Sequence, residues 1–596
     1  MGVVRQGPGG AGSFPGGRMV GRKGLILGAG IVVFLGLAAL TDVIVSRNDA
    51  PAEPGKAQPL DQGWSKELRE AFYYTPQGSQ LMPYAVLRAL EQPLSERLFL
   101  DPAHVAQMGF LPADGPSALN PDGLPIGFVK DPRPGPGALG PMGGLTCAAC
   151  HTADIEAKNG TLIRIDGGAS QGDYQLLMAR LSKALDNTLA DPAKYQRFAA
   201  RLVAVDPKAV RPALEALATD IRRLEASAWT PIPYGRGRLD AFGHILNAVA
   251  ANALKEPANF RIPDAPVSYP FLWTTPQQRF VQWNGVAGNP LGRNLGEVLG
   301  VFGHPDFANG NLAAASSTAL GENLVALESW VATLKPPPWP EKVLGKVDAA
   351  KAKRGAELFK ANCAGCHGGP DYRLTPAAET EGGRQWLAVT MVNIDTVKTD
   401  PKMAMNFLTR YAKPGPFTQL PPTTPRLPDG QVLAGSLLLA AVTALTENDL
   451  RARGITGDAR KAAYGWRFAP GSTTPQSGWL LPPSYKAGPL AGVWATGPFL
   501  HNGSVPTLYD LLSPEEERPA VFYVGSRRLD TEKLGFVSSI DSMPEAERAR
   551  VSRFDTALPG NSNRGHAFPT GAKLSPEDRY AIIEYLKVLE GPDVRP

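Results

Sequence analysis

The sequence predicts a mostly α architecture with long loops, arranged as two tandem domains behind an N-terminal transmembrane helix. Three observations predict it. All four cysteines fall in two copies of one pentapeptide, Cys147-Ala148-Ala149-Cys150-His151 and Cys363-Ala364-Gly365-Cys366-His367. Amphipathic helical segments follow each copy, and the second copy is also entered by one. An uncharged apolar run, Gly24 to Thr41, stands by itself near the start of the chain.

That run, lengthened by Val43–Val45, is long enough to cross a bilayer as a helix. Arg5, Arg18, Arg22 and Lys23 precede it, while Asp42, Asp49 and Glu53 follow. The cationic side stays in the cytoplasm, so the remainder is exported. The division is therefore residues 1–23 as a cytoplasmic tail, 24–46 as a signal-anchor and 47–63 as a linker. The exported part lies in the bacterial periplasm, tethered by this single pass to the inner membrane. The alternative is release into the periplasm after cleavage near Ala50-Pro51-Ala52.

The first domain, 64–338, carries helical periodicity over Tyr174–Leu189, Pro207–Leu224 and Glu322–Leu334, and Pro336-Pro337-Pro338 stops it. The second, 339–596, opens with Asp348–Lys360, a helix that runs directly into Cys363. It closes with Ser575–Leu589, where Ser575 is the N-cap and Pro576 takes the first helical position. Glu328 and Trp330 in one closing helix resemble Glu584 and Tyr585 in the other. Gly (64) and Pro (57) make up about a fifth of the chain, yet 43% hydrophobic content and ten Trp argue for packed, loop-rich domains. A formal charge of +5 gives no footprint for nucleic acid.

C-x-x-C-H is the pattern by which c-type cytochromes attach haem: two thiols add to the vinyl groups and the His supplies an axial nitrogen. A thioredoxin-like pair has no use for the trailing His, and two halves of a zinc site would lie closer together. The motifs imply two covalently bound haem c groups, held by Cys147, Cys150 and His151 and by Cys363, Cys366 and His367. A terminal helix that packs across a haem-entering helix is the layout of class I cytochrome c, so two such cytochrome c-like domains are expected in tandem. His151 and His367 are the proximal iron ligands. A sixth position filled by protein means electron transfer, and an open one means chemistry on a small molecule. His104, His244, His304, His501 and His566 remain. Of these, His501 and His566 sit in turn-rich segments suited to lie over a haem, and Met391, Met403 and Met405 are thioether alternatives.

The chain resembles the dihaem rubber oxygenases of the RoxA type, which are distantly related to MauG and the dihaem cytochrome c peroxidases. The resemblance is carried by Tyr485–Leu512, Phe522–Phe536 and Asn561–Phe568, and in the first half by Gly144–Thr152, Ile165–Gly168 and Leu272–Gly285. It runs in order along most of the exported chain. It implies that His566 is the distal ligand of the second haem, a bis-His electron relay. It implies also that His151 holds the reactive iron, where dioxygen or peroxide binds. Trp273 and Trp283 match aromatic residues set around and between the haems. Distant relatives carry a Ca²⁺ ion between domains, which makes bound Ca²⁺ a further expectation. The expected partner is a small redox protein or a quinone-linked chain. Ahead of the first motif, Gly140–Leu145 offers no His or acid to assist O–O cleavage, unlike the peroxidases. The function expected is thus electron transfer with haem-dependent oxidoreductase activity. The alternatives are an electron carrier with both irons six-coordinate and a cytochrome c peroxidase-like enzyme.

Overall fold

The computed structural model describes residues 55–135, 140–202, 207–380, 383–417, 420, 424–465, 482–567 and 574–593. The expected tail and signal-anchor, 1–46, lie outside the described residues. Among the described residues no helix is long and apolar enough to cross a membrane.

Helix α1 (Lys66–Tyr74) starts at Ser65, whose hydroxyl accepts from the Leu68 amide, and buries Phe72, Tyr73 and Tyr74. Strands β1 (Phe128–Pro134) and β2 (Pro141–Leu145) then pair antiparallel, with Phe128 opposite Leu145. The first motif follows β2 directly, as a single 3-10 turn over Cys147–Ala149. Here the expected pattern of helix then motif fails: a strand delivers Cys147, and α1 stands far upstream. A glycine pair explains the tight delivery. A Cβ on Gly144 would lie 2.0 Å from the Ser79 carbonyl, so the strand passes where only glycine fits. After the motif comes a hairpin of β3 (Thr152–Glu156) and β4 (Leu162–Asp166). Alternation buries Ile155, Ile163 and Ile165, and Arg164 meets Asp154 through two hydrogen bonds of 2.8 and 3.0 Å.

The helices expected from periodicity appear with small shifts at their ends. These are α2 (Tyr174–Ala190), α3 (Pro207–Ser227), α5 (Gly321–Val331), α6 (Ala349–Asn362) and α8 (Pro576–Val588). The sequence reading lacked α4 (Pro290–Gly300), capped by Asn289, and α7 (Ala434–Ala452). It also lacked the ladder of β5 (Thr390–Asn393) on β6 (Ser484–Ala487) and that of β7 (Val521–Val524) on β8 (Ser552–Asp555). In the second half the layout expected of a class I cytochrome is present. Helix α8 crosses α6 so closely that a Cβ on Gly355 would lie 1.9 Å from the Ala581 carbonyl, and the Phe359 and Tyr585 rings pack at 5.3 Å.

Residues Asp49–Pro596 form one compact unit: one apolar cluster runs from Trp64 to Leu589 across both halves, and a second, from Leu81 to Phe302, lies within the first half. The Trp273 indole donates to the Ala491 carbonyl at 2.8 Å, and the Trp494 indole to the Pro337 carbonyl at 3.0 Å. Both indoles are fully buried, so each hydrogen bond fixes one half against the other. Pro336–Pro338 ends α5 and its following turn, but one core spans it.

Candidate haem site

Both motifs open into one apolar cavity of about 530 Å³. Cys147, Cys150 and His151 line it from one side and Cys363, Cys366 and His367 from the other. Burial pushes the Cys147, Cys150 and Cys363 thiols up to about 12, so they sit as neutral sulfur and not as metal-binding thiolates. Among the described residues no group of three or more His, Cys, Asp or Glu side chains gathers that could hold a metal ion. Neutral thiols, an imidazole beside each pair and an apolar wall fit a macrocycle bound by thioether links.

Each motif histidine is aimed in the same way. The Nδ1–H of His151 donates to the Pro270 carbonyl at 2.8 Å, and that of His367 to the Gly488 carbonyl at 2.8 Å. A carbonyl only accepts, so the proton sits on Nδ1 and the Nε2 lone pair is free for iron. Burial lowers both imidazoles, His151 to about 4, which favours the neutral ring that a metal requires.

The segments supplying these carbonyls repeat one backbone at a constant offset. Thr274 and Gly492 are both left-handed and each begins a 3-10 turn, Thr275–Gln277 and Val493–Ala495. Gln282 and Leu500 both have positive φ, as do Gly285 and Gly503. Val281 bridges Ala287 as Phe499 bridges Val505. The copies also clasp each other. The Ser268 amide donates to the His501 carbonyl at 2.9 Å, and the Lys486 amide, its counterpart, to the Trp283 carbonyl at 2.8 Å. Exchange of equivalent bonds is the mark of a two-fold relation, here within one chain. The signal was legible as Trp283-Asn284-Gly285 against His501-Asn502-Gly503.

Beyond the proximal ligands the two sites diverge. The His566 ring faces His367 with centroids 6.0 Å apart. Two metal–imidazole bonds of about 2 Å each, plus the distance from nitrogen to ring centre on both sides, span about that length. Burial lowers His566 to about 4, with His367 and Arg518 adding to the effect. His501 lines the cavity but stacks on Tyr485 at 3.9 Å, and burial lowers it to about 3. Met391 packs against Gly285, Met403 sits in a small separate apolar cluster, and neither they nor Met405 line the cavity. His104, His244 and His304 lie elsewhere, against Phe99, Tyr174 and the Gln80 carbonyl.

Around the first motif, among the described residues, the ring packed on His151 is Tyr269, at 6.3 Å, and not a second imidazole. Helices α4 and α5 bring polar groups there instead: Arg293, Asn294, Glu297 and Glu328. Gln282 Nε2 donates to Glu297 Oε1 at 2.5 Å, Arg293 pairs with Glu328, and Asn294 Nδ2 donates to Glu328 at 3.1 Å. Burial raises the Glu297 carboxyl above its ordinary range, and that carboxyl adds to the upward shift of Cys147. Sequence reasoning looked for an acid ahead of the motif and found none. The acids arrive from downstream, because α4 and α5 fold back over it. Trp283 lines the cavity, its indole donating to the Ser268 carbonyl at 3.0 Å. Trp273 does not: it stacks on Phe271, one layer behind the wall.

The motifs differ in exposure too. Ala148 and Ala149 are buried, and the Gly127 turn lies on Ala149, whereas Gly365 is exposed with open space before it.

A helix delivering C-x-x-C-H, a terminal helix crossing it, and histidines held with Nε2 free define a c-type cytochrome, a class that binds haem c covalently and transfers electrons through it. Family comparison agrees. The family described as "RoxA-like, cytochrome c-like" matches residues 484–523, which include the second copy of the clasp. The family described as "Cytochrome C oxidase, cbb3-type, subunit III" matches residues 350–431, from α6 through the second motif. The protein is a c-type cytochrome of RoxA-like kind. It belongs to the family of "Uncharacterized protein y4iJ" of Sinorhizobium fredii, to which it is 32% identical over 95% of this chain and 98% of that one. "Uncharacterized protein y4iM" of the same organism is 27% identical over 60% of this chain and 72% of its own.

Proposed function

We propose that the protein carries two haems in one chain, the second relaying electrons to a first that reacts with dioxygen or peroxide. The observation that carries this reading is the unequal surroundings of the two motif histidines. His367 faces His566 at 6.0 Å, whereas among the described residues the ring beside His151 is Tyr269, and the half-buried Glu297 and Glu328 line the cavity. Bound haem iron supplies one-electron exchange and, where its sixth position is open, a place for a small oxidant. The chain's own residues do the rest. His151 and His367 hold Nε2 toward the cavity through the Pro270 and Gly488 carbonyls. Gln282 occupies Glu297 Oε1, so a proton on this carboxyl sits at Oε2, ready to be given to a bound oxidant. The buried Ala148–Ala149 turn keeps water from the first site, and the exposed Gly365 edge offers a redox partner protein access to the second. Trp283 and the stacked Tyr485–His501 pair lie on the cavity wall shared by the two sites. The cationic flank and apolar run of residues 5–41 support an inner-membrane tether with the haems in the periplasm.

Spectroscopy on the purified holoprotein tests this. One high-spin and one low-spin haem are expected, with a Soret shift at the former on adding cyanide, carbon monoxide or peroxide. Two six-coordinate irons that take no added ligand would leave only electron carriage.

A further inference from the structure

We propose that Arg518 is the positioning residue for His566, and that its buried charge raises the midpoint potential of the second haem. This rests on the reading of His566 as that haem's distal ligand. The Gly560–His566 segment contributes few apolar side chains, so the core holds it weakly. His566 itself has φ +53, a left-handed conformation that is strained for a side-chain-bearing residue. Something must hold it.

Hydrogen bonds from outside the segment do so, in two groups. At its start, Asn502 Nδ2 donates to the Gly560 and Ser562 carbonyls at 3.2 and 3.1 Å. Arg238 donates to Asn561 Oδ1 at 2.8 Å, and the Ser562 amide donates to Asp400 at 3.2 Å. At its end, next to the imidazole, Arg518 Nη1 donates to both the Asn563 carbonyl (2.5 Å) and the Gly565 carbonyl (2.9 Å). Its Nη2 reaches the Leu511 carbonyl at 3.3 Å, tying the segment to the short helix Leu508–Leu511. The Gly565 amide donates to Glu515 at 3.0 Å and the His566 amide to Val397 at 2.7 Å. Two carbonyls on one nitrogen, with a third on its neighbour, is fork geometry that a lysine ammonium does not reproduce.

Arg518 is 6% exposed, and Glu515, Asp510 and Glu516 favour its charge from nearby without a direct ion pair among the described residues. A cation buried without a contacting carboxylate is costly unless it serves the fold or the site. Here its guanidinium holds the two carbonyls that lead into His566, so its field acts on that imidazole. The same field favours the less positive, reduced state of a metal bound at that imidazole.

The test uses full-length holoprotein bearing Arg518→Gln, Arg518→Lys, Gly565→Ala and, as reference, His566→Ala. Carbon monoxide uptake by the reduced protein, low-temperature magnetic resonance and potentiometry are read. Arg518→Gln is expected to lose part of the low-spin bis-imidazole signal, to bind carbon monoxide beyond the equivalent of the native protein, and to lower the second midpoint. Added imidazole restores the low-spin signal. Arg518→Lys keeps the midpoint in the ligated fraction but still loses part of the signal. Gly565→Ala places a Cβ 2.3 Å from the Lys398–Thr399 backbone with the guanidinium intact, and is expected to lose the same signal. Arg518→Lys decides the matter should Arg518→Gln fail to fold, a native spectrum there overturning the proposal. A native spectrum in Arg518→Gln or Gly565→Ala, while His566→Ala loses the bis-imidazole signal, overturns the proposal alone. So does failure of imidazole to restore it. An unchanged spectrum in His566→Ala removes the ligand reading and this proposal with it.

Discussion

At the scale of residues, two side chains separate the halves of the cavity. His566 reaches His367 from a backbone conformation with positive φ, and His501 turns to Tyr485 instead. We therefore expect His566→Ala to abolish the low-spin bis-imidazole signal and His501→Ala to keep it; magnetic resonance at low temperature checks both. Glu297 makes a second, pH-dependent prediction. Its folded carboxyl titrates above the ordinary range because burial penalises the charged form. The favourable state is then the protonated one, fully available below the unfolded value of about 4.3. Its contribution is lost as pH rises through the higher folded value. Glu297→Gln is expected to flatten that part of the stability-versus-pH curve, measured by denaturant unfolding at several pH values, and to slow peroxide reactivity with little change in carbon monoxide affinity. The place of Glu297 could not be read from the local sequence. Glu297 lies far downstream of Cys147, and only the return of α4 over the motif joins them.

At the scale of elements, the crossing of α6 and α8 is the most exacting contact. Gly355 meets the Ala581 carbonyl, with the Tyr585 side chain beside it. Gly355→Ala forces the helices apart, at a cost of about 1–3 kcal/mol or more from overpacking. A fall in urea midpoint, with the shift larger at the second haem's absorption than at the first, is the expected readout. These helices were legible because each carries its own apolar stripe and cap: Asp348 accepts from the Ala350 and Lys351 amides, and Ser575 from Asp578. Strands β1 and β2 were not. Their segment is dense in Gly and Pro, and their pairing depends on partners from Met82 and Ser79 that no local pattern announces. The clasp shows the same limit. The Asn-Gly pairs were visible in the chain, but the exchange of amide bonds between Ser268–His501 and Lys486–Trp283 exists only once both copies meet.

At the largest scale, one apolar cluster spans both halves of the 49–596 unit and one cavity takes both motifs. Thermal unfolding followed at both haems should therefore give coincident transitions, although two domains were expected from the triple proline. Trp273→Phe leaves the buried Ala491 carbonyl without its donor and is expected to cost about 1–3 kcal/mol at both sites together. Acid-acetone extraction followed by pyridine haemochrome assay should leave two haems on the denatured chain, and Cys147→Ser with Cys150→Ser should leave one. By itself the sequence determined the attachment chemistry and the order of the helices. Both are written in neighbouring residues, as a pentapeptide or a periodicity. Tertiary structure alone decided which histidine faces which, which acids reach the first motif, and that the halves share a core. Those depend on approaches between residues hundreds of positions apart, set by packing and not by any local pattern.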